Sequence, residues 1–198
     1  MSDAISTQWP LGIQGKNEAY IDGDVVTLLL TRGKSTVIDA EDWPIAAKSR
    51  WHAIKGRRGT FYAATRVGPH ILFLHRILLE LPFGDKRQGD HRDHDGLNNR
   101  RYNLRLATPG QNMMNTRKPS TRKGSPTSSR FKGVYWDKRY QKWCASIRHQ
   151  NASHFIGYFA SEVAAAQAYK RWAKELCGAF YFTNLEDYPD GSHDGLPS

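Results

Sequence analysis

The sequence predicts an α+β fold for a small multidomain protein, with a strand–strand–helix unit in mid-chain and a C-terminal three-stranded antiparallel sheet packed on a helix. Three observations carry that expectation. Two strand-like segments enclose a long polar loop, GDHRDHDGLNNRRYNLRLATPGQN, and lead into a helix opened by proline. A run of Ser, Thr, Pro and basic residues at 118–129 then breaks all apolar periodicity. After it, three short alternating segments precede the clearest amphipathic helix of the chain.

Composition narrows the function classes. The chain has 198 residues, 39% hydrophobic, with a formal charge of +10. Such a charge calls for a polyanionic partner, nucleic acid first and an anionic membrane surface second. No apolar run approaches a membrane span, and MSDAISTQWP lacks the basic start and apolar core of a signal peptide, so an intracellular setting and no membrane partner are expected. Cys144 and Cys177 stand far apart, so neither a disulfide scaffold nor a structural zinc centre is expected.

The elements follow in order. Region 1–68 is expected to be mainly β and to pack with the unit after it: strands at 25–30 and 36–38, a short helix near Asp39 or Asp42, an aromatic strand at 51–54, the basic turn GRRG and the returning strand TFYAATR. Region 69–117 begins with the apolar ILFLHRILLEL, whose second half reads as a helix stopped by Pro82 and Gly84. Strands are expected at 87–91 and 103–108. Thr108 followed by Pro109 starts a helix reaching about Arg117, because a hydroxyl can cap and proline needs no partner for its missing N–H. Region 118–129 reads as a basic flexible linker and 185–198 as an acidic tail. In region 130–184, FKGVYW, KWCASIRH and HFIGYFAS are strands. SEVAAAQAYKRWAKELCGAF is a helix capped by Ser161 and ended by Gly178.

The polar stretch admits several readings. A calcium loop aligned on Asp93, Asp95 and Gly96 puts His91 at the first ligand position and Tyr102 where a bidentate Glu is needed, so it fails. A solvated polar loop is the ordinary fate of such a segment. A divalent-metal nuclease site instead needs hard oxygen ligands, an imidazole to take a proton from water, and access for a phosphate backbone. Asp90 and His91 alternate sides at a strand end, and a chain that hairpins through GLNNRR brings a helix bearing Asn112 back across them. Asp93, His94 and Asp95 are expected to serve only the turn.

DH at Asp90–His91, NRRYNLRLAT from Asn99 onward and QN at Gln111–Asn112 resemble the HNH homing-endonuclease family in order and spacing, as does LHRILLEL upstream. The resemblance implies a strand–strand–helix metal-binding nuclease core over 69–117. Asp90 and Asn112 are its metal ligands, His91 its general base, and Asn103 the residue that braces the loop and orients that base. His75 is supporting structure. It also implies one ion per site and 5′-phosphate products; two hard protein ligands with several retained waters suit magnesium, with manganese the alternative. Arg100, Arg101 and Arg105 are candidate phosphate contacts, with surface ion pairs the competing reading.

The segment from FKGVYW to AAAQAYKRWAKELCG resembles the APETALA2/ethylene-response-factor DNA-binding domain. By that resemblance Lys132, Tyr135, Arg139, Lys142, Ser146 and Arg148 lie on strands facing DNA, with His154 and Phe155 near the third-strand surface. Tyr135 stands where the family has a base-contacting arginine and Ser146 where it has glutamate, so its base preference does not transfer. Trp143, Phe159 and Tyr169 are read as core. The early region is similar to the N-terminal part of such fused endonucleases. Together these readings predict a metal-dependent endonuclease on double-stranded DNA, of homing type, nicking one strand per site as a monomer and cutting both through a DNA-induced dimer or a second binding event. A non-catalytic sequence-specific DNA-binding regulator is the alternative. An RNA-binding protein fits the charge but has no module behind it.

Overall fold

The computed structural model describes residues 17–56, 59–118, 121–122 and 125–183. Arg57 and Arg58 of the expected basic turn, and the acidic tail, lie outside them. The chain divides into two compact units, Met1–Thr108 and Pro109–Ser198.

The first unit opens with an antiparallel meander of β1 (Ala19–Asp22), β2 (Val25–Leu29) and β3 (Ser35–Asp39). Alternation on these strands buries Val26, Leu28 and Ile38. A turn of 3-10 helix, Ala40–Asp42, leads into the single-turn helix α1 (Trp43–Ala46), with proline in its first turn. A second meander follows: β4 (His52–Lys55), β5 (Phe61–Val67) and β6 (His70–Phe73). It runs directly into α2 (Leu74–Leu78), which ends before Pro82. The antiparallel pair β7 (Gln88–His91) and β8 (Leu104–Ala107) completes the unit. One core joins these pieces: Leu28 and Ile38 from the first meander, Trp51 just before β4, Ala63 from β5, Leu74 and Leu78 from α2, Leu104 from β8. Trp51 is buried because its indole N–H has a partner, the Ala46 carbonyl at 2.8 Å.

The second unit begins with α3 (Pro109–Met114), shorter than the expected helix to Arg117. Its last carbonyls, and that of Thr116, accept from the Lys132 ammonium, so the chain turns off at the point where the cation gathers them. Met114 packs with Ile147, Tyr169 and Ala173. That packing ties α3 to the C-terminal unit, so the division falls inside the strand–strand–helix segment. In the segment read as a linker, β9 (Thr121–Arg122) pairs with β10 (Ser125–Pro126). Both of its flanks are anchored. Lys118 donates to the carbonyls of Phe131 and Val134, and burial lowers its pKa to about 8. The Ser129 hydroxyl donates to the Glu162 carboxylate at 2.7 Å.

The expected sheet-on-helix forms as β11 (Val134–Asp137), β12 (Lys142–His149) and β13 (Ala152–Phe159) over α4 (Glu162–Cys177). Ser161 caps α4, its hydroxyl accepting from the Ala164 N–H at 3.1 Å, and Gly178 ends it at φ 54°. Trp143, Val134 and Phe131 pack on Ala165 and Ala166, and Phe159 lies against them, so the residues read as core are core. Among the described residues no helix is long and apolar enough to cross a membrane.

Candidate functional site

Register explains the first feature of the site. In the β7–β8 pair Asp90 stands opposite Arg105 and His91 opposite Leu104. Directly opposed residues share a face, and neighbours along a strand point to opposite faces. Asp90 therefore meets Arg105, whose guanidinium donates to its Oδ2 at 2.7 Å with both side chains buried. His91 turns to the other face, as its position beside Asp90 predicts. Of the three arginines considered as phosphate contacts, all are engaged in ion pairs: Arg105 with Asp90, Arg100 with Asp39 and Asp24, Arg101 with Asp42.

The His91 ring is 6% exposed, and its Nε2 lies 3.2 Å from the Asn99 amide oxygen. Around it stand Tyr62 at 6.0 Å and His75 at 5.0 Å between ring centroids. Burial pulls the His91 pKa below that of a free imidazole, against the Asn99 hydrogen bond and the nearby Asp93, Asp90 and Asp95 carboxylates, which raise it. A lowered value favours the neutral imidazole that a general base requires. His75 is buried beside it, and desolvation with the adjacent His91 pushes its pKa down to about 3. It is a neutral packing partner, in line with its expected supporting role.

The polar loop is built by its own side chains. Asn103 accepts from the Asp93 N–H and donates to the Asp93 carboxylate and the Asn98 carbonyl. Asp93 and Asp95 accept from backbone N–H groups two residues on, which makes them turn formers as expected. Asn103 thus braces the loop. At the His91 ring stands a different residue, Asn99, whose backbone is hydrogen-bonded to β3 through Val37. Sequence reasoning passed over Asn99 as one member of an asparagine pair, and passed over Thr36 altogether, though the Asn99 amide donates to its hydroxyl at 2.7 Å. Asn112 lies half-buried on α3 of the second unit.

Among the described residues no group of three or more His, Cys, Asp or Glu side chains is arranged to hold a metal ion. The donor set read from the sequence, one carboxylate and one amide carbonyl, is smaller than such a group and consists only of hard oxygens. Hard oxygens are the donors that magnesium takes, one or two from protein beside several of its own waters. Arg105 on Oδ2 is compatible with that donor set, because a carboxylate can serve two cations through different oxygens.

The second unit presents a different surface. Alternation and register put Tyr135, Lys142, Ser146, Arg148, Phe155 and Tyr158 on the sheet face away from α4. Tyr140, Tyr158 and Phe155 form a row with centroid spacings of 4.8 and 5.1 Å. Arg139 is exposed in the β11–β12 turn, its guanidinium over the Tyr140 ring. Two residues expected on this face lie elsewhere. His154 pairs with the buried Ile147 and so sits on the helix side, and Lys132 is turned onto the carbonyls that end α3.

A protein of Acanthamoeba polyphaga mimivirus, described as an uncharacterized HNH endonuclease, is 32% identical to this chain over 187 residues, which is 92% of this chain and 94% of its own. No family model and no solved structure matches the chain. The similarity runs through both units, well beyond the polar loop, and on that basis the chain belongs to the HNH endonuclease family.

Proposed function

We propose that this protein is a divalent-metal-dependent DNA endonuclease that hydrolyses one phosphodiester bond per active site, with target preference supplied by its C-terminal sheet. The observation that carries the reading is His91, a buried imidazole at the end of β7, hydrogen-bonded to Asn99 and adjacent to Asp90, in a chain of the HNH family. His91 takes a proton from water as the water oxygen attacks phosphorus. The P–O3′ bond breaks, and the departing 3′ oxygen takes a proton from solvent, leaving a 3′-hydroxyl and a 5′-phosphate. Asp90 and Asn112 would hold the ion, magnesium or manganese, which when bound supplies positive charge to offset that building on the phosphoryl oxygens. A single centre of this kind nicks one strand, and a break in both requires a DNA-induced dimer or a second binding event.

The outward face of β11–β13, in a segment whose sequence resembles the APETALA2-type DNA-binding domain, is the proposed grip on double-stranded DNA. Lys142, Arg148 and Arg139 serve phosphates or guanine edges, and Tyr135 and Ser146 stand at base-reading positions. The test is nicking of supercoiled plasmid with magnesium by wild type, His91→Ala and Asn112→Ala. Metal-dependent nicking lost in both variants supports the reading. Tight DNA binding with no metal-dependent nicking on a broad substrate panel would replace it with a non-catalytic regulator.

A further inference from the structure

A chain of three hydrogen bonds runs from the first sheet to the His91 ring, and only one assignment of its protons is possible. The Leu97 carbonyl can only accept, so the Thr36 hydroxyl donates to it at 2.6 Å. A hydroxyl has one proton to give. Thr36 Oγ1 must therefore accept from its other partner, which turns the NH2 end of the Asn99 amide toward it at 2.7 Å. The amide oxygen is then the atom facing His91 Nε2 at 3.2 Å. An amide oxygen cannot donate, so Nε2 carries the proton, and in the neutral ring the lone pair falls on Nδ1.

The backbone holds this chain rigid. The Val37 N–H donates to the same Leu97 carbonyl at 3.0 Å, and the Asn99 N–H donates to the Val37 carbonyl at 2.8 Å, so the loop runs as a parallel bridge along β3. Thr36, Asn99 and Asn103 are all fully or almost fully buried, which removes water as a competing partner. Gly96 lets the loop lie flat on β5: an added Cβ would collide with the Phe61 carbonyl and would stand 2.6 Å from the Tyr62 ring.

We propose that Thr36, acting through Asn99, is a positioning residue for the nuclease reaction: it selects the Nε2–H tautomer of His91 and so assigns Nδ1 as the atom that takes the proton from water. The N-terminal sheet is then part of the catalytic apparatus, since β3 determines which nitrogen of an imidazole in another sheet is basic. This rests on the reading of His91 as general base.

The measurement is long-range 1H–15N correlation on the full-length protein with 15N-labelled histidine, His91 being assigned by its absence in His91→Gln. Wild type is expected to show Nε2 protonated and Nδ1 bare in the neutral ring, a result that needs no variant to fold. Thr36→Val keeps the shape of the side chain and removes the hydroxyl. It should mix the two tautomers and lower the nicking kcat roughly tenfold with KM little changed, as loss of an orienting hydrogen bond behind a catalytic group does. Thr36→Ser should return the single tautomer. A wild-type His91 protonated on Nδ1, or a Thr36→Val protein with one tautomer and undiminished kcat, would overturn the proposal. Failure of the base reading itself looks different: His91→Ala would still nick while the wild-type tautomer stood as assigned.

Discussion

The two units use their charges in opposite ways. Around the polar loop of the first unit, Arg100, Arg101 and Arg105 are spent on Asp39, Asp24, Asp42 and Asp90. On the sheet of the second, Lys142, Arg148 and Arg139 point outward beside a row of exposed aromatic rings. Both segments are rich in basic residues, and composition alone does not separate them. What separates them is the supply of carboxylates within reach: the polar loop of the first unit has an acid against each of these three arginines, whereas the sheet carries Asp137 alone on its outward face among the described residues. A region that neutralises itself becomes a rigid frame for chemistry. A region that does not is left attractive to a polyanion.

The largest expected effect tests the frame. His91→Ala should reduce plasmid nicking at least about a hundredfold, the usual contribution of a positioned general base, while leaving DNA affinity within about twofold. If affinity fell with activity, the division of labour between the units would be lost. Gly96→Ala comes next, because it breaks the frame without touching a charge. The added methyl has backbone and ring in its way, so overpacking should cost about 1–3 kcal/mol in urea denaturation. A neutral result would mean that β5 and the loop are not held together.

Acid should distinguish the units further through His75. In the unfolded chain this imidazole protonates near 6.5, whereas in the folded protein it stays neutral down to about 3. Below pH 6.5 the unfolded state therefore binds the extra proton, and stability is lost as pH falls toward the folded value, by at most about 1.4 kcal/mol per pH unit. His75→Gln removes that term, so the stability lost between pH 7 and pH 5 should shrink by about 2 kcal/mol. Equal losses in the two proteins would show that His75 titrates normally.

How much of this was legible in the sequence depended on range. Ser161, Gly178 and the apolar face of α4 were readable because a cap, a terminator and a 3.6-residue period are local. Asp90 and His91 at a strand end, and Asp93 and Asp95 as turn formers, were readable for the same reason. The partner of His91 was not. Asn99 and Asn103 are alike as sequence, and what singles out Asn99 is a hydroxyl 63 residues earlier that orients its amide. Lys132 and His154 were misplaced by strand logic that ignored one neighbour each. The carbonyls closing α3 captured the lysine, and a register irregularity between Ala145 and Ser146 brings Ile147 opposite His154 on the helix side.

On the second unit the expected effects are smaller and of another kind. Lys142→Ala and Arg148→Ala should each weaken DNA binding several-fold at moderate salt and lower the slope of log affinity against log salt by about one, raising KM more than they change kcat. A pair of variants with unaltered salt slopes would remove this face from the binding surface.

The smallest expected effect is the most discriminating. Arg100 is as basic as Arg148, and sequence alone made both candidates for phosphate. Its Nε donates to Asp39 at 2.7 Å and its NH2 group to Asp24 at 2.6 Å, and these partners hold its pKa above the ordinary guanidinium value. A guanidinium held by two carboxylates brings little net positive charge to a phosphate, and to reach one it must give up both bonds. Arg100→Ala should therefore leave the salt slope of DNA binding unchanged, in contrast to Arg148→Ala on the same substrate. A slope that falls by about one in both would mean that the first unit releases its arginines when DNA arrives, and that its ion pairs are a resting arrangement rather than a frame.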